Sequence, residues 1–131
     1  MAAVNKAERA LVDQWRDILA LHAHTQCELD RALHPHGLCA SDFEVLDLLS
    51  ERTAPDDSGA YRVQEISERV HLSQSALSRL VARLEKDGLV ERVMCAEDRR
   101  GVRVVLTSKG SDLHREVLPI HRGVLARMLA G

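Results

Sequence analysis

Residues 72–92, LSQSALSRLVARLEKDGLVER, contain the segment on which the fold turns. Ala76, Leu77, Leu80, Val81 and Leu84 recur at helical steps and would face inward. Ser73 stands before them as a helix N-cap, its hydroxyl suited to accept a free backbone N–H. Gly88 follows a helix of residues 73–87 at the position where a left-handed residue commonly ends one. The other side of this helix is polar: Ser73, Gln74, Ser75, Ser78, Arg79 and Arg83. Glutamine and arginine match the edges of adenine and guanine in the major groove, and serine can meet bases or phosphates. Free N–H groups at a helix N-terminus attract phosphate. An ordinary solvated helix has the same pattern, so its neighbours must decide between the two.

Upstream, the spacing of Val63, Ile66 and Val70 predicts a short helix over 63–70, and His71-Leu72 forms a tight joint. That helix would fix the angle of the next one and reach the DNA backbone through Arg62. Downstream, residues 89–95 and 102–106 are rich in β-branched residues. The polar loop 96–101 between them carries Asp98, Arg99, Arg100 and Gly101, which predicts a hairpin with a basic tip. An extended arginine suits the narrow, negative minor groove. A carboxylate beside an arginine, as Asp98 is to Arg100, can hold the guanidinium in one orientation.

Further out, Leu11, Trp15, Ile18, His22, Thr25, Leu29 and Leu33 trace one face of a long helix over Lys6–Leu33, which Pro35 and Gly37 stop. A second helix fits 42–52, with Ser41 as N-cap and Glu44 completing a capping box. Residues 53–60 read as a loop. Thr107 caps a last helix in which Leu113, Val117, Ile120, Val124 and Met128 recur, and Pro119 should kink or break it.

In combination, the segment 72–92, then Glu97-Asp98-Arg99-Arg100, then Val104-Val105-Leu106-Thr107-Ser108-Lys109-Gly110 resemble the MarR family of winged helix-turn-helix regulators, as does the stretch around 38–49. The resemblance implies a mainly α fold: a winged helix-turn-helix with a β-hairpin wing and N- and C-terminal dimerisation helices. It implies one MarR-type domain over 1–131, with 1–35 and 108–131 in dimerisation and 41–106 as the DNA-binding module. It implies a homodimer on a pseudo-palindromic double-stranded DNA operator, with Asp98 bracing Arg100 in the minor groove. The family's usual role is repression relieved by a small molecule, phenolic or aromatic, or by thiol oxidation. Family members usually carry more C-terminal helix than a chain ending at Gly131.

Composition agrees with this picture. The 131 residues, 45% apolar with one Phe, one Tyr and one Trp, suit a single core of aliphatic residues between helices. Net charge is −2, yet residues 62–109 hold ten Lys/Arg against seven Asp/Glu, and phosphate responds to the charge placed near it. Three cysteines form no disulfide framework. No apolar run spans a bilayer and residues 1–10 lack a signal-peptide core, so a cytoplasmic protein without membrane contact is expected.

Side readings stay open. Trp15 with His22 could line a pocket for a small-molecule effector, or Trp15 could be a core or interface residue. Cys39, near a helix start, could be a redox-sensing thiol, and Cys27 beside Glu28 is less suited. No histidine spacing among His22, His24, His34, His36, His114 and His121 matches a zinc site. No phosphate loop, nucleophile elbow or metalloprotease motif is present, so neither an enzyme nor a cofactor is expected. The competing class is a winged-helix protein-interaction module, which would leave the polar face of 73–83 covered.

Overall fold

The computed structural model describes residues 5–51, 61–94 and 102–130. Helix α1 runs Lys6–Leu33 and starts at Asn5, whose side chain accepts the Ala7 N–H at 2.9 Å. A 3₁₀ turn, His34–His36, and Gly37 in the left-handed region (φ 77°) reverse the chain. Helix α2 spans Ala40–Ser50, strand β1 Tyr61–Arg62 and helix α3 Val63–Val70. Helix α4, Gln74–Lys86, is followed by β2 (Val90–Met94), β3 (Val102–Leu106) and α5 (Ser108–Leu129).

Four helices match the predicted spans closely, and three differences matter. Helix α2 begins two residues early, with Cys39 as N-cap. Asp42, not Glu44, reaches back: its Oδ2 accepts the Cys39 N–H at 2.9 Å. The capping-box expectation of Ser41 and Glu44 is corrected accordingly, because a buried carboxylate three residues after Cys39 meets that N–H first. The hairpin also has a third strand. Tyr61 and Arg62 pair antiparallel with Val104 and Arg103, giving sheet order β1-β3-β2. A two-residue strand is too short to leave a periodic signal. Finally, α5 continues through Pro119, an exposed position, so no break occurs there. The expected loop 53–60 lies outside the described residues.

The main core gathers Leu33, Phe43, Leu46, Leu49, Tyr61, Ile66, Leu77, Val81, Leu84, Val90, Val104 and Val117. Nearly all of α2 is buried, Glu44 being its one exposed residue. Phe43 is stacked by two imidazoles of α5, His121 at 4.1 Å and His114 at 5.4 Å between centroids. The α5 stripe thus buries His114, Val117, His121 and Val124: Val117 and Val124 belong to the predicted face, whereas Leu113, Ile120 and Met128 of that face are only partly buried. His114 enters with a partner waiting for it. His114 Nε2 lies 2.8 Å from Asp47 Oδ1, and Arg122 donates to both Asp47 oxygens at 3.1 and 3.2 Å.

Helix α5 is joined to the end of α4 at one close-packed corner. Gly88 turns with φ 78°, and Thr107 Oγ1 donates to the Gly88 carbonyl at 2.6 Å. Thr107 Oγ1 also accepts the Gly110 N–H at 3.0 Å, capping α5, while Thr107 N–H donates to the Leu89 carbonyl at 3.1 Å. Gly110 leaves no room for a side chain: an added Cβ would sit 2.0 Å from Leu89 O. Backbone cannot step aside as a side-chain end can, and overpacking of a core typically costs about 1–3 kcal/mol. Gly110→Ala should therefore lower unfolding stability by about 2 kcal/mol or more in a urea titration. Wild-type stability in that variant would contradict the close approach.

Candidate nucleic-acid interface

The α3–α4 unit is built from local rules. Glu65 Oε1 accepts the Arg62 N–H at 3.1 Å and so fixes the start of α3. His71 ends α3 in the left-handed region (φ 58°), a conformation in which histidine is enriched among non-glycine residues. Ser67 Oγ donates to the Leu72 carbonyl at 2.7 Å, tying the turn back onto α3. Ser73 Oγ accepts the Ala76 N–H at 3.2 Å and opens α4. The remaining free N–H groups of that first turn, with the helix dipole, make its N-terminus attractive to an anion.

Leu77, Leu80, Val81 and Leu84 hold α4 to the core. Ser73, Gln74, Ser75, Ser78 and Arg79 are all exposed, and Arg79 makes no ion pair among the described residues. The predicted polar face is thus uncovered, and its donors are those that read base edges and phosphates. Arg83 differs. Its guanidinium grips Asp42 of α2 through both terminal nitrogens, Nη1 to Oδ2 at 2.9 Å and Nη2 to Oδ1. That pair raises the Arg83 pKa further above its ordinary value. Sequence spacing placed Arg83 with the DNA-facing set; the structure gives it a partner inside the protein. Only the fold shows Asp42, since the two residues are far apart in sequence.

Arg62 is exposed at the start of α3 and pairs in register with Arg103. With Val63, Gln64, Arg92 and Val102 it lines a groove of about 460 Å³ between α3 and the sheet. Asp98, Arg99 and Arg100, predicted at the wing tip, lie outside the described residues.

A second concavity, about 420 Å³, lies between α1, α2 and the α3–α4 turn. His22, Thr25, Leu29, Glu44, Arg69 and His71 are on its wall, and Thr25 Oγ1 is buried there without a hydrogen-bond partner. The pairing of His22 with Trp15 in one pocket is corrected: Trp15 is 58% exposed on α1 and does not line this cavity. It is nearer the N-terminus, on a bare stretch of helix with Leu11 and Ile18. Cys39 does not suit the redox expectation. Burial pushes its thiol pKa up and the Asp42 carboxylate adds to this, whereas a reactive thiolate needs a lowered one. No group of three or more potential ligands able to hold a metal ion occurs among the described residues. No helix of the described residues is long and apolar enough to cross a membrane.

The imidazole of His121 joins α5 to α2. Arg122 Nη1 lies 2.7 Å from His121 Nδ1. A guanidinium can only donate, so Nδ1 accepts and the ring proton is on Nε2. Nε2 is 3.4 Å from Glu44 Oε1 and makes no aligned hydrogen bond. Burial, the largest influence, pushes the His121 pKa down; Glu44 opposes this and Arg122 adds to it. Burial would raise the Asp47 pKa, but His114 and Arg122 outweigh it and hold that carboxyl low. A histidine with a depressed folded pKa favours folding above its unfolded value of about 6.5. This contribution is lost as pH falls from there through the folded pKa. Urea stability should therefore fall between pH 7.5 and 5.5, and fall less in His121→Phe. An identical pH profile for that variant would contradict the assignment.

Comparison with known proteins places these features in context. The MarR family model matches residues 40–102. The HTH-type transcriptional repressor MdtR of Bacillus subtilis (strain 168) is 28% identical over 127 residues, 97% of this chain and 78% of the relative. Across three curated relatives the chain spans between 58% and 78% of their lengths. The crystal structure of AbsC, a MarR family transcriptional regulator from Streptomyces coelicolor, superposes with a TM-score of 0.81 at 29% identity. The match covers 99% of this chain and 83% of AbsC. Sco3205 from the same organism, solved in complex with DNA, gives a TM-score of 0.81 at 29% identity, covering 98% of this chain and 78% of that one.

Proposed function

We propose, from its likeness to the MarR family over residues 40–102 and to relatives along most of its length, that this chain is a sequence-specific DNA-binding transcriptional regulator that acts as a homodimer. The observation carrying the proposal is the uncovered face of α4, where Gln74, Ser75, Ser78 and Arg79 stand exposed past the Ser73 cap. An interaction module would have no need of base-reading donors on a helix whose N-terminus also favours phosphate. Arg62 contributes a backbone contact, and Arg99 and Arg100, with Asp98 beside them, serve as the wing. That a relative of similar fold was solved with DNA supports this use of the fold.

Selection of duplexes from a random library, followed by gel shifts over a salt series, tests it. Arg79→Ala should relax preference at one base position, costing about 1–3 kcal/mol there. Arg100→Ala should weaken binding to all duplexes and lower the salt slope by about one. Failure of the wild-type protein to enrich any sequence would overturn the function. Two variants that track the wild type would overturn the residue roles.

The dimer reading rests on α1. Leu11, Trp15, Ile18 and Leu19 are 46–66% exposed along one stretch, and Leu129 at the end of α5 is 55% exposed. Large apolar side chains gathered on one surface mark an association site. Residues 1–35 and 108–131 form the dimer body in this proposal, and 41–106 the winged module. Leu11→Arg/Trp15→Arg should shift sedimentation from dimer to monomer and weaken operator binding with it. A dimer that survives both changes would place the interface elsewhere.

The role proposed is repression, relieved by a small phenolic or aromatic molecule in the cavity beside His22 and Thr25. The cavity touches Arg69, Val70, His71 and Leu72, the turn that sets α4. A bound ligand would act on the angle of the reading helix through that turn.

A further inference from the structure

The Asp42–Arg83 pair joins two helices that must keep one angle. Asp42 lies on α2, and its side chain is 1% exposed. Its two oxygens take both terminal nitrogens of Arg83, and Oδ2 also takes the Cys39 N–H. Arg83 lies one helical turn beyond Arg79 on the same side of α4, and its side chain is 48% exposed. A bidentate pair fixes direction as well as distance, because the planar fork fits the carboxylate in one orientation. The carboxylate itself is held by the first turn of α2, whose neighbours are core residues.

We propose that Asp42 is a positioning residue for DNA recognition, aiming α4 through Arg83 and touching no nucleotide itself. The inference rests on the DNA-binding function proposed above. In it, Arg83 is a strut: the base-reading side chains Gln74, Ser78 and Arg79 are presented at one angle because the helix is pinned a turn further on. Groove readout tolerates little misplacement, whereas phosphate attraction is long-ranged and tolerant. Loosening the strut should therefore reduce discrimination between sequences more than overall affinity.

The test uses the full-length protein, a duplex that the wild-type protein selects from a random library, and a poly(dI-dC) competitor. Asp42→Asn, Arg83→Gln, their double variant and Arg83→Lys are compared, with folding checked by circular dichroism. The expected result is at least about a tenfold loss of preference for the selected duplex in each single variant. Binding to poly(dI-dC) should stay within about twofold, with the salt slope unchanged. The double variant should be no worse than the worse single one, because the two residues act as a unit. Arg83→Lys keeps the charge but loses the fork, and carries the test if Asp42→Asn does not fold.

Two results would overturn the proposal. One is a salt slope lowered by about one in Arg83→Gln but not in Asp42→Asn, which would make Arg83 a phosphate contact. The other is undiminished preference in the folded variants, with only the melting temperature reduced. A wild-type protein that selects no duplex would instead sink the DNA-binding function.

Discussion

The burial of α2 is the constraint from which the other positions follow. Its aliphatic residues Val45, Leu46, Leu48 and Leu49 need cover on several sides, and α1, α3, α5 and β3 supply it. Phe43 is closed in by His114 and His121, so its ring is covered by side chains that carry hydrogen-bonding groups on their rims. Asp47 serves His114, and Arg122 serves His121 Nδ1, at the edge of the core, while His121 Nε2 makes no aligned hydrogen bond. A polar ring built around one phenylalanine thereby fixes α5 against α2. The cost is a dependence on protonation that an aliphatic contact would not bring.

Helix α4 is held at three places with different chemistry. Its apolar side sinks into the core, the Asp42–Arg83 pair grips its far flank, and Thr107 and Gly110 bind the corner after Gly88. The last contact packs the end of α4 directly against the start of α5. The cavity under the α3–α4 turn lies at the opposite end of the same helix. One end is thus locked by backbone contacts, while the other borders a space that a ligand could fill.

The family resemblance, helix spans and caps were legible along the chain because each depends on residues close in sequence. The 3.6-residue spacing gave α1, α3, α4 and α5, Ser73 and Thr107 gave two N-caps, and Gly88 gave a stop. The exposed side of α4 could be named residue by residue for the same reason. Less was visible where a position has two acceptable explanations. Arg83 looked like a neighbour of Arg79, since nothing near it in sequence marks a partner 41 residues away. Trp15 and His22 share a helix face, but only the approach of α2 and α3 decides which of them meets a cavity.

Periodicity, capping and turn chemistry act within a few residues, so the order of the helices and the polar face of α4 were set by the sequence alone. The tertiary structure decided the rest: that His114 and His121 enter the core around Phe43, that Asp42 holds Arg83, and that burial raises the Cys39 pKa. Each of these depends on the distance between groups remote in the chain and on the water removed from between them. Neither quantity exists until the helices have packed.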